Sequence, residues 1–291
     1  MKTLREYVAE AGEKGVAIGH FNISNLEGFW AVVNAARKLS LPVIIGVSEG
    51  ERDFVGVAQV KALADSVNRE AVERELSPVF LNADHTYSID RIKEAVDAGF
   101  DSVIIDEAEK GLEENLKITK EAVEYARAKS QETGKEILVE AELGFIGKSS
   151  KILDEVPGGV VKTTAEEAKR FVGETDVDLF APAVGNVHGM LKNGMEPKLD
   201  IDLIKEIKQA VQIPLVLHGA SGNTDDEIRE AIKAGISIIH INTELRVAYK
   251  HGLQRGLSEN PDEVAPYKYL KEAVKEMQML VEKKLTLFNS K

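Results

Sequence analysis

The chain has 291 residues, 43% hydrophobic and 30% charged, with a formal net charge of −12 and no cysteine. That is enough apolar material for one large core, and so negative a surface argues against nucleic acid or an anionic membrane as a partner. Without cysteine there is no disulfide, thiolate metal site or cysteine nucleophile.

The first residues, Met1 to Tyr7, read as an amphipathic helix without the apolar core of a signal peptide. No apolar run is long enough to span a bilayer, so a cytoplasmic protein is expected. Short apolar runs then alternate with helical periodicity. Strands are predicted at Val16–Phe21, Pro42–Val47, Pro78–Ala83, Ser102–Asp106, Ile137–Leu143, Leu179–Val184, Pro214–Leu217 and Ile236–Ile241. Several are continuously apolar and rich in Val and Ile, as strands covered on both faces should be. Helices are predicted at Leu26–Leu39, Val55–Arg74, Ile89–Ala98, Leu112–Ser130, Ala165–Glu174, Ile201–Val211 and Asp225–Ala234. Gly99 and Gly235 stand where a glycine stops a helix, and Thr164-x-x-Glu167 resembles a capping box.

Eight strands alternating with helices point to a (β/α)8 TIM barrel, with residues 1–291 as a single domain. The competing doubly wound sheet lacks its Gly-x-Gly-x-x-Gly turn after the first strand. Beyond the eighth strand, Glu244–Leu257 and Tyr267–Leu287 are helical by periodicity. These extra C-terminal helices exceed what closing the barrel requires, and part of them is expected to meet another subunit. Gly144–Thr163, with four glycines and a proline, is the least regular stretch and is expected to form a mobile loop over the site.

In a barrel, chemistry sits where the strands end at their C-terminal side. The third predicted strand runs into Asp84-His85, the fourth ends in Asp106, and the fifth carries Glu140 and Glu142 on one face. The sixth is followed by Val184 to Gly189 with His188, the seventh by His218, and the eighth ends in His240-Ile241-Asn242-Thr243. A single strand-end histidine is more often a structural hydrogen-bonding residue than a ligand, and His20 and His251 are read that way. Three histidines on one rim with one or two carboxylates form a set suited to Zn²⁺ with a position open for substrate. Gly219-Ala220-Ser221-Gly222, opening the Asp225–Ala234 helix, has little side chain to block its amides. It could cradle a phosphate at the positive end of that helix. Gly189 and Lys192 follow His188 in the same manner.

These residues resemble the class II, metal-dependent aldolases that cleave fructose 1,6-bisphosphate or tagatose 1,6-bisphosphate. The resemblance runs nearly end to end: Phe21 to Glu27, Asp84-His85, Ala98 to Asp106, Glu113-Glu114-Asn115, Val139 to Gly144, Val184 to Gly189, Pro197 to Asp200, Pro214 to Gly222 and Asn242-Thr243-Glu244. It implies that His85, His188 and His218 hold Zn²⁺. Asp106 and Glu142 match an alternative or second metal site, or one for a monovalent cation. Asp84 would exchange a proton with the C4 hydroxyl. Gly189, Lys192, Gly219, Ala220, Ser221, Asn242 and Thr243 would bind the dihydroxyacetone-phosphate end, and Asn22 and Ser48 match substrate-contacting positions. A phosphorylated sugar substrate and a homodimer or larger homo-oligomer are implied as well.

The chain departs from the family pattern in four places. Asn82 replaces the first histidine of His-x-Asp-His, and Ser150 stands where the family has a loop glutamate linked to proton transfer, with Asp154 and Glu155 nearby. His240 replaces an asparagine that contacts dihydroxyacetone phosphate, and Tyr267 replaces the arginine of Asp-Pro-Arg that reaches a neighbour's distal phosphate. Tyrosine offers one hydrogen bond where arginine offers a bidentate pair. The leading expectation is a Zn²⁺-dependent aldolase that splits fructose 1,6-bisphosphate into dihydroxyacetone phosphate and glyceraldehyde 3-phosphate. The alternatives are the same mechanism on tagatose 1,6-bisphosphate or another dihydroxyacetone-phosphate adduct, and a non-catalytic phosphosugar-binding relative. A barrel hydrolase would usually show His-x-His on its first strand, which here reads His20-Phe21-Asn22.

Overall fold

Eight parallel strands close on one another: β1 (Ile18–Asn22), β2 (Val43–Val47), β3 (Val79–Thr86), β4 (Ser102–Ile105), β5 (Leu138–Leu143), β6 (Leu179–Pro182), β7 (Leu215–Leu217) and β8 (Ile236–Ile241). Each neighbours the next in sequence, and β8 returns to β1 with Ile18 beside Ile238 and His20 beside His240. The computed structural model describes residues 2–147 and 151–290. No helix among them is long and apolar enough to cross a membrane.

Side chains alternate across each strand. The outward set, such as Phe21, Ile45, Leu81, Val103, Val139 and Ile239, packs under the surrounding helices as one continuous core. The inward set begins apolar, with Ile18, Ile44, Phe80, Leu138, Leu179, Val216 and Ile238 meeting Leu4, Val8 and Ala11 of the first helix, Leu4–Lys14. That helix is held at its start by the Thr3–Glu6 capping box and stopped by Gly15 in the left-handed conformation. It plugs the bottom of the barrel. Two residues further along the same strands the inward positions turn polar, with His20, Asn82, Glu140, His218 and His240 all buried.

Beyond β8 come helices Thr243–Glu259, Pro266–Tyr269 and Lys271–Phe288. The last packs on Leu26–Leu39 and on Thr243–Glu259, burying Met277, Val281, Leu285 and Phe288. Much of the extra C-terminal length is therefore used against the chain's own barrel. The predicted Val55–Arg74 helix is two helices, Glu49–Val55 and Val57–Glu73, broken at Gly56 with φ 91°. Within Gly144–Thr163, Phe145 bridges Val161, and Ile152–Leu153 pairs with Met190–Leu191. Ser150 lies outside the described residues.

Candidate active site

The site begins with an irregularity. β3 extends through Asp84 and His85 to Thr86, and its register against β4 shifts between Ala83 and Thr86. His85 takes φ 34°, a left-handed conformation that costs a residue with a Cβ. Regular alternation would send two consecutive side chains to opposite faces. The bulge re-aims one of them, so Asp84 and His85 both line the cavity at the top of the barrel.

Ligand atoms of His85, Glu142, His188 and His218 all lie within 4.8 Å of one another. Each histidine has one ring nitrogen engaged outside this group. His85 Nδ1 is 2.8 Å from Asp106 Oδ2, His188 Nδ1 is 2.6 Å from the Gly147 carbonyl, and His218 Nε2 is 2.7 Å from Glu140 Oε1. Carboxylates and carbonyls accept, so those nitrogens carry the proton. In the neutral form of each ring the opposite nitrogen keeps its lone pair, the arrangement that metal-binding imidazoles require. His218 Nδ1 and Glu142 Oε2 are buried with no hydrogen-bond partner and face each other at 3.4 Å. Two buried acceptors left in this way fit a cation between them. Asp106 stands behind His85, outside the four-residue group.

Burial keeps His20, His188, His218 and His240 neutral, with His188 pushed down to about 4 and His240 to about 3. Burial pushes Glu140 and Glu142 well above the usual carboxylate range. Burial works against a charge on Asp84, but His85 together with His240 and His20 outweighs it and holds the carboxyl well below its usual range. His85, despite burial, is raised well above its ordinary value by Asp84 and Asp106. Burial thus disfavours charge on most of these groups, and His85 alone of the clustered histidines is shifted toward its protonated form.

A polar belt carries this cluster. His20, read as structural, hydrogen-bonds Asn82 Oδ1 at 3.1 Å, and Asn82 donates to Ser102 Oγ at 2.7 Å. The His20 ring stacks on His240 at 3.5 Å between centroids, and His240 stacks on His218 at 4.1 Å. A Cβ on Gly46 would stand 2.1 Å from the His20 ring, so the glycine makes the space that ring occupies. His240 and its stacking partner His20 thus lie beside the His218 ring of the four-residue group.

The cavity, about 320 Å³ of empty space, is also lined by Asn22, Gly189, Gly219, Ser221, Asn242 and Thr243. Gly219 has φ 60°, and a Cβ there would meet the Val187 carbonyl at 2.3 Å. The helix start facing this cavity is that of Thr243–Glu259, whose N-cap Asn242 makes no side-chain capping bond. The expected helix, Asp225–Ala234, is closed by the Thr224–Glu227 capping box and carries three acidic residues in its first turn. Its first turn is thus partly engaged within the chain itself. Ala220 is buried in the outer core, and Lys192 is an exposed residue paired with Asp154 at 2.6 Å. Ser48 lines the adjoining mouth of the site.

Three participants have no role in the sequence reading. Glu140, read from the sequence only as sharing a face with Glu142, hydrogen-bonds the His218 ring. Glu51 and Arg52 sit buried behind Ser48 and Asp84. Arg52 donates to the Val47 carbonyl at 2.9 Å and to Thr86 Oγ1 at 3.1 Å. No local pattern marks a charged helix face as buried.

Residues 2–291 match the family described as Fructose-bisphosphate aldolase class-II. The chain is 38% identical over 274 residues to the fructose-bisphosphate aldolase of Geobacillus stearothermophilus, covering 92% of this chain and 90% of that protein. It is 33% identical to the YdjI aldolase of Escherichia coli K12, whose crystal structure superposes with a TM-score of 0.79 over 99% of this chain and 97% of that one. A putative fructose-1,6-bisphosphate aldolase from Coccidioides immitis gives a TM-score of 0.80 at 29% identity, over 98% and 96% of the two chains.

Proposed function

Because the chain belongs to the metal-dependent class II fructose-bisphosphate aldolase family, we propose that it cleaves fructose 1,6-bisphosphate to dihydroxyacetone phosphate and glyceraldehyde 3-phosphate, with His85, His188 and His218 holding Zn²⁺. The observation that carries this reading is the set of three imidazoles, each with one ring nitrogen engaged outside the cluster and the other left for a shared centre beside Glu142.

Cleavage breaks the C3–C4 bond as the C4 hydroxyl loses its proton, and the electron pair passes to the ketose carbonyl side. The bound ion would act there as a Lewis acid, polarising the carbonyl oxygen. Asp84 is the base for the hydroxyl. It lines the cavity, is held ionised, and is oriented by a 2.7 Å bond from Asn22 Nδ2. In the reverse direction it returns the proton. The dihydroxyacetone-phosphate end is assigned to Gly189, Gly219, the Ser221 hydroxyl and the helix start at Asn242 and Thr243, where amide groups suit an anion. Lys192 would reach that phosphate only by leaving Asp154. His240 takes the place of an amide side chain with a flat, neutral ring. Glu142 remains available as a fourth metal ligand. Homodimerisation belongs to the same reading, supported by exposed Trp30, Val264 and Tyr267, and sedimentation would check it.

The test is cleavage of fructose 1,6-bisphosphate by purified protein, alone, with chelator, and with Zn²⁺ restored. Loss with chelator and recovery with zinc is the expected result. Cleavage unaffected by complete metal removal would overturn the mechanism.

A further inference from the structure

The helix that begins at the cavity, Thr243–Glu259, carries an acidic residue in its first turn, Glu244. The carboxylate of Glu244 reaches across to the turn that follows His218. Its Oε1 accepts from the Gly222 amide at 2.9 Å and from Lys284 Nζ at 2.7 Å. The Glu244 amide in turn donates to Ser221 Oγ at 3.4 Å. Lys284 belongs to the last helix, Lys271–Phe288, and its side chain is only 4% exposed. A helix packed outside the barrel thus sends a cation inward to within one carboxylate of the Ser221–Gly222 turn.

Holding that helix in place needs no charge. It already buries Met277, Val281, Leu285 and Phe288, and a buried ion pair adds little over packed apolar groups, because both charges lose their water. The position of the pair is what calls for an explanation. Glu244 sets a carboxylate beside Ser221, Asn242 and Thr243, the groups assigned to the phosphate of the substrate. Like charges close together in a poorly solvated site repel strongly. Lys284 cancels that charge at its source while the carboxylate keeps its hold on the Gly222 amide. As a neutral unit, the pair fixes the turn without opposing an anion at the helix start.

We propose that Lys284 is a positioning residue for the dihydroxyacetone-phosphate end: through Glu244 it fixes the Ser221–Gly222 turn and removes a carboxylate charge that the helix start would otherwise present to the phosphate. The inference rests on the phosphate assignment of the aldolase reading. It gives the C-terminal helix a part in substrate recognition.

The test measures by calorimetry the dissociation constant of sn-glycerol 3-phosphate, which carries the phosphate without the ketone, on the zinc-loaded protein. In Lys284→Met the constant rises about 10-fold, as an uncompensated carboxylate faces the anion. Lys284→Arg keeps the charge and stays near the parent. Glu244→Gln, whose amide oxygen still accepts from Gly222, binds no more weakly than the parent. The double variant Lys284→Met/Glu244→Gln returns to within about 3-fold of the parent, the signature of coupled charges. A merely structural tie gives a different pattern, in which each single substitution weakens binding and the double variant recovers nothing. That pattern, an unchanged constant in Lys284→Met, or no binding by the parent would overturn the proposal. If Lys284→Met does not fold, Glu244→Gln decides: binding weaker than the parent's overturns the proposal, and equal or tighter binding supports it. Cleavage of fructose 1,6-bisphosphate by the parent is followed alongside. Its absence together with the expected binding pattern would sink the aldolase reading and leave the role of Lys284 at a phosphate site standing.

Discussion

Below His20 the barrel is filled by Ile18, Ile44, Phe80, Leu138, Leu179, Val216 and Ile238 over the Leu4–Lys14 plug, while above it the same strands carry Asp84, Glu142, His218 and Asn22. The lower half gains stability from every side chain it buries, roughly 1.5–3 kcal/mol for a large apolar one. The upper half buries carboxylates and imidazoles, each of which is costly to desolvate unless it is bonded or neutral. Strands anchored below can hold in place above what would not assemble by itself. The His20–Asn82–Ser102 chain is the seam between the two regimes.

Substitutions on either side of that seam should separate activity from stability. His218→Ala, at the top, is expected to lower kcat/KM by on the order of 10³-fold, matching the several kcal/mol a Lewis acid supplies. The same variant should lose bound zinc by elemental analysis yet still fold, since burial shifts Glu140, left without its donor, toward its neutral form. Retained zinc and turnover would erase the distinction between the halves. Phe80→Ala, at the bottom, should cost about 3–5 kcal/mol in denaturant unfolding, with the surviving folded fraction still active. Asn82→Ala, at the seam, leaves His20 and Ser102 without a partner and should cost about 1–3 kcal/mol, accompanied by a smaller loss of turnover. A cost confined to stability would show that the belt supports the fold and leaves the rings above it undisturbed.

The smallest effect concerns pH. His240 is held down to about 3, against 6.5 for the free side chain. A histidine kept neutral in the folded state contributes stability that is present above about pH 6.5 and is lost as pH falls toward its folded value, where only the unfolded chain has taken up the proton. The unfolding free energies of the parent and of His240→Asn, measured without metal, should diverge through that window by up to about 1.4 kcal/mol per pH unit. Parallel pH curves would mean that the ring is charged in the folded protein.

The eight strands were legible because each is a short apolar run between helical patterns, and because the rim histidines fell where strands end. Boundaries moved by one to three residues, as at β1, which continues to Asn22, and β3, which runs on to Thr86. Less of the site was legible, for a physical reason. That Glu140 serves His218 across 78 positions, or Glu51 serves Arg246 across 195, depends on the closed barrel bringing distant segments together, and no local spacing encodes it. The two helix starts near the cavity differ as well. Thr224 and Glu227 spell a capping box that closes the Asp225–Ala234 helix on itself, and the next helix start, lacking one, is the end that faces the cavity.

His85 shows what such a site asks of its backbone. Its left-handed conformation at φ 34° costs on the order of 1 kcal/mol for any residue with a Cβ and almost nothing for glycine. Selection for heat resistance and selection for turnover therefore pull this position in opposite directions. A library screened for melting temperature alone would drift toward glycine there, and its most robust survivors would be barrels that no longer catalyse.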